Sequence, residues 1–170
     1  MPRAPKPGQA RGSMPVSKDE FRAALCRFPS GVTIVTTTDA EHRPAGITVS
    51  AFASVSLDPP LVLACIDKRA SIHAWLTEGT HFAINILSED QEHLSRRFAS
   101  KDQDRFSDIS HRTGVTGAPL LDDAAACLEC VVVGVYPGGD HSIVVGQVES
   151  TTLDEHRPLT YHRGCYGRLA

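Results

Sequence analysis

Gly138-Gly139-Asp140-His141 is the tightest grouping of chemically capable residues in the chain. The two glycines permit tight backbone geometry and close approach. The imidazole can donate a hydrogen bond to an amide or a phosphate, and Asp140 can orient it. The same residues also make an ordinary hairpin turn carrying a surface histidine, and spacing alone leaves both readings open. A second grouping is Thr48-Val49-Ser50-Ala51, followed by Ser54. Small residues and hydroxyls there let backbone N–H groups approach a flat ligand with a polar edge. They are equally at home on the wet face of a strand. Cys127 and Cys130 have C-x-x-C spacing. They lie in an apolar stretch that reads as strand, where residues three apart face opposite ways. No second ligand pair stands at a suitable spacing, so no metal is expected.

The fingerprints of several common chemistries do not occur. There is no G-x-G-x-x-G, no G-x-x-x-x-G-K-[ST], no G-x-S-x-G and no H-E-x-x-H, although the chain has eight histidines. This argues against a Rossmann dehydrogenase, a phosphate-loop enzyme and a serine hydrolase.

The elements that would position these residues follow from periodicity. Residues 1–15 have almost nothing to bury and read as a disordered tail, leaving 16–170 as one domain. Ser17 and Glu20 fit a capping box, with Phe21, Ala24, Leu25 and Phe28 forming a stripe expected to pack on a core. From Gly31 the texture becomes β. Val32–Thr38, Gly46–Leu57, Leu61–Ile66, His81–Leu87, Cys127–Tyr136, Ser142–Thr152 and Leu159–Tyr161 read as strands. Ser71–Glu78 reads as a short helix capped by Ser71, and Ser88-Glu89-Asp90-Gln91 as a second capping box opening a helix to about Phe98. About seven strands and three helices result, and the helices do not alternate with the strands as a doubly wound sheet requires. Most connections are too short for parallel crossovers. The expected fold is mainly β (α+β): an antiparallel sheet closed as a barrel, with peripheral helices.

Charge is nearly balanced, with 17 basic and 20 acidic residues. Such a surface gives no general attraction for nucleic acid or anionic membrane. No apolar run approaches the ~20 residues of a membrane span, and no signal peptide is visible. Five cysteines, mostly in apolar runs, fit free thiols in a reducing cytoplasm.

Two longer segments carry more. One is Gly46-Ile47-Thr48-Val49-Ser50-Ala51-Phe52-Ala53-Ser54-Val55-Ser56-Leu57-Asp58-Pro59-Pro60-Leu61-Val62-Leu63. The other is Gly138-Gly139-Asp140-His141-Ser142-Ile143-Val144-Val145-Gly146-Gln147-Val148. With Phe28-Pro29-Ser30-Gly31-Val32-Thr33, Phe82-Ala83-Ile84-Asn85-Ile86-Leu87, Arg97-Phe98-Ala99 and Pro158-Leu159-Thr160-Tyr161, the chain resembles the short-chain flavin reductase family. The match runs in order from about Phe21 to Leu169.

The resemblance implies a split, Greek-key β-barrel that binds FMN or FAD, generally as a homodimer. It implies that Thr48, Val49, Ser50 and Ala51 line the flavin, with Ser54 further along the segment and Cys65, Ile66 and Asp67 flanking it. Ser71 would hold the flavin phosphate. Gly139, Asp140 and His141 would meet the nicotinamide of NADH or NADPH, with His141 the candidate catalytic residue. Arg105, with Arg96, Arg97 and Lys101, reads either as a basic rim for phosphates or as a solvated face. Phe98 and Phe106 read either as stacking rings or as core, and Trp75 as packing or dimer interface.

The implied activity is hydride transfer from reduced nicotinamide to flavin, with reduced flavin supplied to a separate flavin-dependent monooxygenase. Two other classes compete. One is a flavin-binding electron carrier or sensor without nicotinamide activity; the Gly-Asp-His turn argues against it. The other is a pyridoxine-phosphate-oxidase-like enzyme, for which no basic substrate pocket is evident.

Overall fold

The computed structural model describes residues 16–102 and 104–169. The expected tail, 1–15, lies outside the described residues. In chain order the elements are α1 (Lys18–Leu25), β1 (Ser30–Gly31), β2 (Thr33–Thr38), β3 (Pro44–Val49), β4 (Phe52–Leu57) and β5 (Pro60–Asp67). A 3₁₀ turn (Ser71–Trp75), β6 (His81–Ile86), α2 (Glu92–Ala99), β7 (His111–Thr113) and β8 (Pro119–Leu121) follow. The long hairpin β9 (Ala126–Gly138) and β10 (His141–Leu153), then β11 (Thr160–His162) and β12 (Cys165–Gly167), complete the chain. No helix among the described residues is long and apolar enough to cross a membrane.

Seven strands form one antiparallel sheet in the order β3-β2-β6-β9-β10-β5-β4. Its two outermost strands, β3 and β4, are consecutive in the chain and separated only by Ser50 and Ala51. Flat, seven strands at ~4.8 Å would hold the edges roughly 29 Å apart. Three peptide links span at most about 11 Å. The sheet must therefore roll until its edges meet. The Cys65 N–H donates to the Ala51 carbonyl at 3.0 Å and ties the junction to β5. This is the split barrel, closed through the backbone rather than by a ladder between β3 and β4. Val35, Val62, Ile66, Phe82, Ile84 and Val144 fill its interior. A second core under α2 gathers Ile34, Leu87, Leu94, Phe98, Phe106 and Leu159.

Several local expectations change. Gly46–Leu57 breaks at Ser50-Ala51, because the chain must turn there from one sheet edge to the other. The α1 capping box forms, yet the helix buries no residue: Phe21 and Leu25 are 53% and 56% exposed. The stripe meets no core because the rolled sheet spends its inner face on itself. The second capping box forms only in part. Ser88 is buried and bridged to Pro158, its N–H donating to Gln91 Oε1 at 3.1 Å, so the helix starts later, at Glu92. Ser71 does not cap; Ala70 holds that position, without a side-chain bond. Cys127 and Cys130 are both buried but enter different clusters, as opposite faces of β9 require. Burial pushes both thiols up, Cys130 to about 12.

Candidate functional site

The β9–β10 hairpin turns through Gly139 and Asp140, with Gly138 and His141 paired at its mouth. Gly139 has φ +72°, the left-handed region a type II′ turn requires at its first loop position. Lys68, just after β5, grips this turn twice. Its N–H donates to the Asp140 carbonyl at 3.1 Å, and its Nζ to the Gly139 carbonyl at 2.6 Å. His141 Nδ1 lies 2.8 Å from Asp140 Oδ1.

His141 stands opposite Asp67 across the β10–β5 ladder. Asp67 accepts from the Arg69 guanidinium at 3.1 and 2.7 Å and from the Arg69 N–H at 2.8 Å. These bonds hold its carboxyl well below the usual carboxylate range, with the Arg69 charge and His141 adding to the effect. The bond from His141 lowers Asp140 in the same way. One end of the barrel thus carries an imidazole between two carboxylates that stay ionised. His73 Nε2 meets Ser142 Oγ at 2.9 Å, one residue along β10.

Strand β3 reaches the same end from the other side. Thr48 Oγ1 donates to the Ser95 carbonyl of α2 at 2.7 Å, so its hydroxyl is engaged with the helix. Val49 is buried, and its carbonyl accepts from Thr33 Oγ1 at 2.6 Å. Ser50, Ala51 and Ser54 are exposed, while Cys65 is half-buried on the outward face of β5. Lower on β3, Gly46 lies against α2; an added Cβ would sit 2.9 Å from Phe98 Cε1.

Beyond β5 the chain enters a groove of about 830 Å³ whose walls include Gly46, Arg69, Ser71, Lys101, Arg105 and Phe106. Arg43 and three carboxylates (Asp39, Asp102 and Asp104) also line it. Arg105 spans the groove by donating to the Gly46 carbonyl at 2.9 Å and the Ser100 carbonyl at 2.6 Å. Its Nε is buried and has no partner among the described residues. Arg96 pairs instead with Glu92 and lies over the Tyr166 ring, and Arg97 donates to the carbonyls of Asp104, Arg105 and Ser107. Of the four cations read from sequence, only Lys101 and Arg105 line the groove.

The end of β5 therefore gathers most of the candidate residues. Cys65 bonds Ala51, Asp67 faces His141, and Ser71 lines the groove with Arg105. Three candidates do not join them as ligand-facing side chains. Phe98 is fully buried, packed edge-on to Phe106 at 5.0 Å, so its ring cannot stack on a ligand. Ile66 is 1% exposed and points into the barrel, as alternation along β5 dictates. Ile66 and Val49 can offer a ligand only their backbone. Sequence reading missed Lys68 and Arg69. Their one signal was a basic pair directly after a strand end, which also describes many surface loops.

Residues 25–170 match the family described as the flavin reductase like domain. The chain belongs to that family. It is 43% identical over 150 residues to the FMN reductase (NADH) SmoA of Agrobacterium fabrum, covering 88% of this chain and 85% of that protein. It is 41% identical over 147 residues to the reductase component of a flavin-dependent trigonelline monooxygenase of Acinetobacter baylyi. That match covers 86% of this chain but 47% of the relative, so the chain spans about half that protein's length. Among solved structures, the NADH:FAD oxidoreductase SgcE6 of Streptomyces globisporus, in complex with NAD and FAD fragments, superposes with a TM-score of 0.86. It is 37% identical, and the match covers 95% of this chain and 98% of that one.

Proposed function

We propose that this flavin reductase-like chain is an NADH:flavin oxidoreductase that passes reduced flavin to a separate flavin-dependent monooxygenase. The observation that carries the reading is the convergence at the end of β5. There the junction of small exposed residues is tied to Cys65, the glycine-hinged His141 stands opposite Asp67, and the chain runs on through Arg69 and Ser71 into a groove with cationic side chains. The names of the relatives supply the nicotinamide, the two flavins and the monooxygenase.

The residues suit FMN or FAD. Ser50 and Ala51 leave backbone open to a flat ring. Ser71, Lys101 and Arg105 suit a phosphate, and the unpaired Nε of Arg105 is a donor in want of an acceptor. A bound flavin supplies the hydride acceptor, and nicotinamide the hydride. The chain's own work is placement. Lys68 fixes the Gly-Asp-His turn, Asp140 holds the His141 ring through Nδ1, and Nε2 of that ring is left to meet the nicotinamide amide. No nucleophile or dedicated base is needed.

The outward side of β5 and β10 supports a homodimer. Leu61, Leu63, Ile143 and Val145 are half-exposed there, and Val55 and Leu57 on β4 are 50% and 96% exposed. Leu63→Glu is expected to yield monomers in sedimentation velocity. The free thiols fit a reducing cytoplasm.

The deciding experiment follows NADH oxidation at 340 nm with free FMN or FAD. Activity with either flavin is expected. His141→Ala is expected to raise KM for NADH roughly five- to tenfold with flavin affinity little changed. An unaltered NADH KM removes His141 from its role, and no activity with either flavin removes the reading itself.

A further inference from the structure

A second cavity, of about 880 Å³, adjoins the cationic groove and shares Asp39, Pro44 and Trp75 with it. Each cavity alone falls within the ~300–1,000 Å³ of a small-molecule site. Their chemistry differs sharply. No lysine or arginine lines the second cavity among the described residues. Its one carboxylate, Asp39, is already satisfied by the N–H groups of Glu41 and Arg43, each at 2.9 Å, and by Arg43 Nε at 2.7 Å. Trp75, His111 and several threonines supply the rest of the wall. With His42 and His81 also on the wall, such a lining has hydrogen-bonding groups but no fixed cation for a phosphate. It suits a neutral heteroaromatic base carrying hydroxyls.

The groups present can recognise that base. Trp75 is half-buried on the wall common to both cavities, packed against the barrel core on one side, and its indole offers them an aromatic surface. His111 Nδ1 lies 2.8 Å from the Ile109 carbonyl, which only accepts. The proton is thus on Nδ1, and Nε2 of the neutral ring is left to accept from an exocyclic amine. The His111 ring is braced edge-on by Phe106 at 5.0 Å, and Phe106 belongs to the cationic groove. Strand β3 joins the pieces. From Val49, beside the ring-facing junction, to Pro44, at the mouth of both cavities, is five residues, or roughly 17 Å of strand. That is the scale of an extended dinucleotide.

We propose that this second cavity holds the adenosine of FAD, with its phosphates in the cationic groove, so that the protein takes FAD in preference to FMN. The assignment rests on the flavin reading above. Titration by flavin fluorescence, with FAD and FMN in parallel, tests it. Wild-type protein is expected to bind FAD at least about tenfold more tightly than FMN. His111→Ala, at an exposed position, and Thr113→Trp, which fills the cavity from exposed β7, are each expected to bring the two affinities within about threefold. Equal affinities in the wild type, or variants that leave the ratio where it was, overturn the adenosine site while the flavin reading stands. A Thr113→Trp protein whose NADH KM rises while its FAD affinity holds gives the cavity to the nicotinamide dinucleotide and also overturns it. Failure of both flavins to bind removes the broader reading.

Discussion

Helices α1 and α2 have equal length, and both are preceded by a serine with a glutamate or glutamine three residues on, yet they live in opposite surroundings. In α1 the capping box closes fully: Glu20 N–H donates to Ser17 Oγ at 3.2 Å and Ser17 N–H to Glu20 Oε2 at 3.0 Å. Nothing on the helix is buried. Helix α2 has no side-chain cap at all, and it buries Leu94, Ser95 and Phe98. It also holds β3, through Thr48 on the Ser95 carbonyl and Phe98 against Gly46. Capping is local chemistry that forms wherever the residues stand. What a helix does for the fold depends on the apolar surface the rest of the chain offers it.

That contrast can be broken or sharpened by experiment. The largest effect is expected from Phe98→Ala, at about 3–5 kcal/mol lost in urea unfolding. Flavin affinity should fall with it, since β3 loses its support. A loss under about 1 kcal/mol would mean that α2 is no more anchored than α1. Thr48→Val, which strips the Ser95 carbonyl of its hydroxyl donor, should cost about 1 kcal/mol. Ser17→Ala on α1 should cost about 0.5–1 kcal/mol. Phe21→Ala should stay within about 0.5 kcal/mol in the monomer. A much larger concentration-dependent loss would show that α1 is covered by a second copy. Acid should separate the helices too. The Ser17 hydroxyl and N–H hold the Glu20 carboxyl below its ordinary range. A carboxylate lowered by folding stabilises above its unfolded pKa and loses that contribution as pH falls through its folded one. Amide exchange should therefore show α1 fraying below about pH 4 while α2, held by burial, persists.

Much of this architecture was legible before any coordinates. Apolar and β-branched runs along His81–Leu87, Cys127–Tyr136 and Ser142–Thr152 marked the central strands, and β6 among them is buried on both faces. The rolled closure was harder to see. It depends on β3 and β4 being the two sheet edges, which only the pairing of distant strands reveals. At the site, Gly-Asp-His announced itself through two glycines and a histidine. Lys68 did not, because its work is done by hydrogen bonds to carbonyls 71 and 72 residues away. Phe98 was partly readable: Leu94 and Phe98 lie four apart, the spacing of a buried stripe, and that signal outweighs its likeness to a stacking ring.

The two-residue link between β3 and β4 has a consequence for how this barrel tolerates change. Surface connections usually accept inserted residues at little thermodynamic expense. Here an insertion would lengthen the only covalent stitch across the seam, letting the cylinder spring apart at Ser50 and Ala51. A graded series of glycine insertions at that seam should therefore abolish flavin uptake well before it unfolds the protein.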